Sequence, residues 1–245
     1  MSFVVFTCDP YINLIEGFSY FFNKYWDATQ EVYVLGFKSP DFDLPPNFTF
    51  LSAGTQEDFP PKSFCEPFKP ILKSLPGDTL TYFLDDTFLI SPYRKGLYNK
   101  AYDLIAEGKA QKIQLFWGGK EQYVETTPFD DTFRAFPQHL NYRCNLAPSV
   151  INKEYFLKYF REGMSTWQFE LQNMELARND GATILVSWRD PISPWFNIAR
   201  QGQFNFAQGL RIEQSDENRF GWNKHQFLDD ADMEKIMKYK EWTAR

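Results

Sequence analysis

The run Thr79-Leu-Thr-Tyr-Phe-Leu-Asp-Asp-Thr-Phe-Leu-Ile90 most constrains what this chain can fold into, because an apolar, strand-like segment closes on two adjacent carboxylates. A buried strand does not hold two uncompensated charges, so Asp85 and Asp86 belong at its exit, where a ligand or cation offsets them. Open α/β folds bind their ligands at that edge of the sheet. Two neighbouring acids there suit a hard divalent cation, Mn2+ or Mg2+, together with a phosphorylated substrate. A charged turn between two strands is the plain alternative for the same residues.

The preceding chain supplies the rest of such a fold. Ser2 to Thr7 reads as a strand, and Asp9-Pro10 follows as a helix cap with proline at the first helical position. Ile12, Ile15, Phe18, Phe22 and Trp26 recur at helical spacing, which predicts a helix from Tyr11 to Trp26. Glu31 to Leu35 restores strand character, so the opening is a β-α-β unit suited to a parallel pair. Phe48 to Leu51 is a third short strand, and Pro67 to Leu75 a short helix. A helix carrying Leu97, Ala101, Leu104 and Ile105 ends at Gly108.

Later segments are read as a strand from Lys112 to Trp117, a helix from Ile151 to Phe160, and a helix capped by Ser165 or Thr166 that runs to about Ala177. Thr183 to Trp188 is a further strand. Residues 120–145 show no firm period, and residues 192–225 read as a functional loop, a lid or a poorly packed tail. Asp229 to Tyr239 opens acidic and closes lysine-rich, as a helix macrodipole favours. The expected organisation is one domain over 1–245, with one half in 1–117, a second half in 118–228, and a C-terminal helix in 229–245.

Composition narrows the partners. A formal charge of -6 and a pI near 5.1 argue against non-specific attachment to nucleic acid through a basic face, although a local groove stays open. The 19% aromatic content serves a Phe-rich core first and leaves rings for stacking on sugars. Cys8, Cys65 and Cys144 are too few and too scattered for a disulfide framework, which points to a reducing compartment, the cytoplasm. The start MSFVVFTCDP resembles a core strand more than a signal peptide, and no run reaches the roughly 20 apolar residues of a membrane span.

Three features together, the β-α-β start, Leu84-Asp85-Asp86-Thr87-Phe88-Leu89 and the helix start Trp167-Gln-Phe-Glu170, resemble a GT-A type glycosyltransferase. The likeness is nearest to small bacterial and viral nucleotide-sugar transferases, covers roughly residues 1–190, and includes Asn145-Leu-Ala-Pro-Ser-Val-Ile151 as a second cue. Leu84 stands where the family's Asp-x-Asp form has its first acid. The resemblance implies an α/β, GT-A-like Rossmann-type mixed, mainly parallel central sheet with helices on both faces. It further implies that Asp86 ligates the cation bridging the donor diphosphate, that Asp85 contacts donor ribose or sugar, and that a C-terminal histidine, His225, is a further metal ligand.

Other residues carry two readings each. Glu170, one helical turn from Trp167, is either the base that takes the acceptor proton or an N-terminal helix cap. Trp167 is a sugar-ring wall or a core residue, and Trp117 with Gly118-Gly119 an acceptor wall or a core and turn. Thr7, Cys8 and Asp9 follow the first strand, where this fold begins its nucleotide pocket, yet Asp9 serves equally as a helix cap. Arg134, Arg143, Arg189 and Lys224 are candidate diphosphate contacts or ordinary surface pairs. His139 is read as structural or surface.

The leading expectation is a metal-dependent glycosyltransferase that moves a sugar from a nucleotide diphosphate donor, a UDP-sugar, to a hydroxyl acceptor such as a glycan. A nucleotidyltransferase, a glycosyltransferase acting on modified DNA, and a non-catalytic carbohydrate-binding or interaction protein are the alternatives.

Overall fold

Alternation along the first strands decides the architecture. In β1 (Ser2–Phe6), Phe3 and Val5 enter one core while Val4 and Phe6 enter another, and all four are buried. The same division runs through β2 (Val32–Gly36), with Val32 and Val34 on the first side and Leu35 on the second. Strands buried on both faces require a layer on each. The computed structural model describes residues 1–60, 62–116, 125–187, 190–200, 202–204 and 228–243.

On the first face lie α1 (Leu14–Phe22), α3 (Lys95–Ala106) and α7 (Asp230–Met237), contributing among others Leu14, Phe18, Ala101, Leu104 and Ile236. The second face is covered by α2 (Cys65–Ser74), α4 (Lys153–Lys158), α5 (Thr166–Gln172) and α6 (Met174–Ala177), through Phe68, Leu72, Phe156, Phe169 and Ala177. Between them β3 (Phe48–Ser52), β4 (Thr79–Leu84), β6 (Lys112–Gln114), β7 (Thr127–Pro128), β8 (Phe133–Ala135), β9 (Ser149–Asn152) and β10 (Ile184–Ser187) join β1 and β2 in one sheet. Its order is β3-β2-β1-β4-β9-β6-β10-β8-β7. Only β9 and β8 run against the other strands, so the sheet is mixed and mainly parallel, with helices on both faces as expected.

Local chemistry moves several boundaries. The helix expected from Tyr11 opens instead as a 3-10 turn at Asp9–Tyr11, and α1 closes in a π turn at Asn23–Asp27 that buries Tyr25 and Trp26. The Thr79–Ile90 run is two strands: Asp85 and Asp86 form the turn, and β5 (Thr87–Leu89) leaves the main sheet to pair with β11 (Trp195–Asn197). The segment read as a helix from Ile151 begins as β9, because β-branched Val150 and Ile151 are buried between β4 and β6. Asn152 then caps α4, its side chain accepting the Tyr155 N–H at 2.9 Å. The unassigned stretch before residue 145 contributes β7 and β8.

The C-terminal helix is latched onto α1. Asp232, fully buried, accepts from Lys24 Nζ at 2.7 Å, from the Tyr20 hydroxyl at 3.2 Å and from the Tyr25 hydroxyl. Tyr239 accepts the Gly17 N–H at 2.9 Å and sets its ring edge-on to Phe88 of β5 at 5.6 Å. Among the described residues no helix is long and apolar enough to cross a membrane.

Candidate functional site

The carboxyl ends of β1 and β4 meet. Thr7 donates its N–H to Leu35 O at 2.9 Å and Asp85 donates its own to Phe6 O at 3.0 Å, so the exit of β1 is clamped between its two neighbours. The buried Asp85 carboxyl is held well above the usual carboxylate range, first by burial and then by the adjacent Asp86 charge. Hydrogen bonds from the Thr7 hydroxyl and from the Cys8 and Asp86 amides oppose that rise. Thr7, Cys8 and Asp85 therefore form one cluster.

Asp86 differs from its neighbour. Its Oδ2 accepts from Asn197 Nδ2 at 3.0 Å, and its carbonyl accepts the Ile198 N–H at 2.7 Å. Its Oδ1 is sealed from solvent and has no partner among the described residues. Burial pushes this carboxyl up to about 6. Asn197, opposite Thr87 in the β5–β11 pair, carries no sequence signal and is legible only from that pairing.

This pair fits a divalent cation: two hard-oxygen donors share a poorly solvated turn, and one buried oxygen lacks the compensation that a buried polar group requires. Among the described residues no three His, Cys, Asp or Glu side chains assemble into a closed metal site. His225, Arg189, Lys224 and Trp117 lie outside the described residues.

Asp9 is not a cap for α1. Its carboxylate accepts the Lys38 N–H at 3.0 Å, and its N–H donates to Gln56 Oε1 at 3.0 Å, joining β1 to the segments after β2 and β3. Asp9 also lines a cleft of about 330 Å³ with Pro10, Asn13, Glu241, Trp242 and Thr243. Beside it, Tyr11 packs edge-on to Trp242 at 5.1 Å. The Tyr11 phenol is raised by burial and then by the Asp85 and Asp86 charges, which places it near the acid turn. Burial and Asp85 push the Cys8 thiol far up, so it stays a neutral thiol.

Glu170 is at the same sheet edge. Because β9 pairs antiparallel with β4 and sets Ser149 opposite Tyr82, the loop entering β9 lies at the edge where β4 exits toward Asp85. In that loop Leu146 donates its N–H to Glu170 Oε1 at 2.7 Å. Oε2 has no donor among the described residues. The capping box of α5 is Ser165 with Gln168, at 3.2 and 2.8 Å, so Glu170 is not the cap. Nor is Trp167 a core residue, being 69% exposed. Burial raises the Glu170 carboxyl, while the Leu146 N–H and the Lys112 charge draw it back.

The basic candidates within the described residues have other tasks. Arg143 is buried and donates to the carbonyls of Ala182, Ala177, Pro137 and Phe136 at 2.6, 2.9, 3.0 and 3.2 Å, with Asp180 at 3.3 Å. Its guanidinium is consumed by the scaffold, which removes it as a diphosphate contact. Arg134 on β8 donates to the Thr126 hydroxyl at 2.8 Å and to the Thr126 carbonyl. His139 is a surface residue 3.2 Å from Glu125, as expected.

The sheet order, with its acid turn at the carboxyl edge, defines a GT-A-like α/β fold. No family model matches the sequence, and no curated protein is similar to it at a significant level. Among solved structures the chain is similar to S. aureus TarS residues 1–349, at 15% identity over 98% of this chain and 70% of that one, with a TM-score of 0.53. The same protein in complex with UDP-GlcNAc gives 16% identity over 98% and 71%, with a TM-score of 0.51. A cytidylyltransferase from Leptospira borgpetersenii, at 9% identity over 97% and 93% and a TM-score of 0.48, is too distant to bear on the fold. At such identities the likeness is one of fold.

Proposed function

We propose that this protein is a cation-dependent glycosyltransferase that moves a sugar from a nucleotide diphosphate donor, a UDP-sugar, to a hydroxyl acceptor, a glycan. The observation that carries the reading is the buried Asp86 Oδ1, which has no partner among the described residues, in a two-carboxylate turn at the carboxyl edge of the sheet, where open α/β folds bind ligands. Asp86 and Asp85 would hold Mn2+ or Mg2+, which supplies charge neutralisation for a departing nucleoside diphosphate. Asp85, beside Thr7 and Cys8, would present its carboxyl to the donor ribose or sugar. A UDP-sugar is the donor class chosen because a TarS structure sharing this fold is in complex with UDP-GlcNAc.

Glu170 takes the acceptor proton. One oxygen is pinned by Leu146 N–H, so the other keeps a set direction, and burial raises the carboxyl, which makes it a stronger base than an ordinary carboxylate. Deprotonation of an acceptor hydroxyl there, with attack on the donor carbon opposite the leaving diphosphate, is a single in-line displacement. Trp167, exposed three residues before Glu170, offers an apolar face to the acceptor ring.

A nucleotide-sugar screen that detects released nucleoside diphosphate, with and without glycan acceptor and with Mn2+, Mg2+ or chelator, tests this reading. UDP release that needs both cation and acceptor is expected. Pyrophosphate release from a nucleoside triphosphate and a sugar phosphate, with no UDP release, would replace it with nucleotidyl transfer.

A further inference from the structure

We infer that Lys112 is a positioning residue for Glu170, acting across the single peptide unit that joins Asn145 to Leu146. Lys112 Nζ donates to Asn145 O at 2.5 Å, and Leu146 N–H donates to Glu170 Oε1 at 2.7 Å. Those two groups are the opposite ends of one planar amide, and in a trans amide they point to opposite sides. An ammonium and a carboxylate therefore bind the same amide from its two ends. Each charge-assisted bond polarises the amide in the sense that strengthens the other.

The amide is held in place by the same lysine. Lys112 Nζ also donates to Asn145 Oδ1 at 2.8 Å, an oxygen that further accepts Gln114 Nε2 at 3.1 Å and the Ala147 N–H at 3.2 Å. Lys112 and Gln114 are alternate residues of β6 and so share a face. Together they leave Asn145 one orientation, and through it Leu146.

Lys112 is an unusual residue to find there. It is 1% exposed, and among the described residues no carboxylate is in ion-pair contact with it. An ammonium buried without a direct counter-ion is costly, and a neutral side chain would fill the same space. The groups facing it are Cys144, Glu170 and Arg143, of which Glu170 is the acid. Glu170 is faced in turn by Lys112, Leu146 N–H, Tyr82 and Cys144. Burial lowers Lys112 to about 8, so it is still protonated at neutral pH. The arrangement favours the ionised form of Glu170 and aims its second oxygen, and it rests on the reading of Glu170 as the base.

The test compares wild type with Lys112→Met, which keeps length and loses charge, and Lys112→Arg, which keeps charge. The Glu170 carboxyl is titrated by 13C NMR in glutamate-labelled protein, its resonance assigned with Glu170→Gln. K112M should raise the Glu170 midpoint by about one pH unit and move the acid limb of acceptor-dependent turnover up by the same amount. Donor affinity should not change, and K112R should restore the midpoint. In wild type alone the Glu170 resonance should show a second, smaller inflection near pH 8, where Lys112 loses its proton.

An unmoved midpoint in folded K112M overturns the inference, whatever the turnover. Should K112M fail to fold, a single-step wild-type titration overturns it equally. If the midpoint moves but E170Q keeps wild-type turnover, the coupling stands and the base assignment falls.

Discussion

Asn197 donates to one oxygen of Asp86 at 3.0 Å and leaves the other buried with no donor among the described residues. That asymmetry keeps part of the carboxylate's charge satisfied by the protein and reserves the rest. Replacing Asn197 by Leu removes the bond that favours the ionised form, so the Asp86 midpoint should rise above about 6. Cation-dependent binding of a UDP-sugar, followed by calorimetry from pH 5 to pH 8, should then reach half its maximum at a higher pH than in wild type. Superimposable pH profiles would show that Asn197 does not tune the acid turn.

The acid turn should also weaken the cation-free protein at neutral pH. Asp86 has its folded value raised from 3.8 to about 6, so its favourable contribution is complete below the unfolded value and is lost as pH rises through 6. Asp86→Asn does not titrate in this window. In chelator it should match wild type near pH 3.5 and exceed it at pH 7.5 by about 1–3 kcal/mol, at roughly 2–4 °C of melting temperature per kcal/mol. Added Mn2+ should raise the wild-type melting temperature and leave D86N unmoved. Melting curves that keep the same separation at both pH values would remove the linkage.

Glu170→Gln keeps volume and can still accept the Leu146 N–H, but it cannot take a proton from a hydroxyl. Acceptor-dependent turnover should fall about 100-fold or more with donor affinity unchanged. Since Ser165 and Gln168 already close the capping box, melting should shift by no more than a few degrees. In wild type, turnover should fall on acidification at a pH above the ordinary glutamate range, because burial raises Glu170. Wild-type turnover by folded E170Q at saturating acceptor sinks the catalytic assignment.

Arg143→Met should act on stability alone. The substitution strands the carbonyls that the guanidinium joins and leaves Asp180 without its buried cation, a loss of about 3–5 kcal/mol. UDP-sugar affinity of the folded fraction should match wild type. A variant that melts normally but loses donor binding would return Arg143 to the diphosphate.

Trp167→Ala removes a ring that is 69% exposed, so melting should move little. The acceptor KM should rise about tenfold with donor KM constant, in line with the loss of one aromatic contact. Equal acceptor KM in both proteins would leave Trp167 without a role in the site.

The parts of this architecture written in local pattern were legible before the structure. The strand from Ser2 to Thr7, the helical stripe of Ile12, Ile15, Phe18, Phe22 and Trp26, and an apolar run halted by Asp85-Asp86 all state their environment in residues close to one another in the chain. What stayed hidden depends on distant partners. β9 is four residues long and runs straight into α4, and only β4 and β6 on either side make Val150 and Ile151 a strand. Asn197 reaches Asp86 across 111 residues of chain. Arg143 reads as a diphosphate contact or a surface pair, and Lys112 only as the start of a strand, because a sequence does not display the carbonyls that converge on them.

Gly17 has no room for a side chain: a Cβ would fall 2.5 Å from the Phe88 ring and 2.8 Å from the Tyr239 hydroxyl. Phe88, two residues beyond the acid turn, is thus walled in by a tyrosine that the ribosome adds some 150 residues later. A nascent chain holding all nine strands of the main sheet still has one flank of β5 uncovered. Consolidation of the acid turn therefore waits on the segment that carries Tyr239. A message cut short before Asp229 would yield a protein with its sheet in place and its carboxylate pair unsupported on that side.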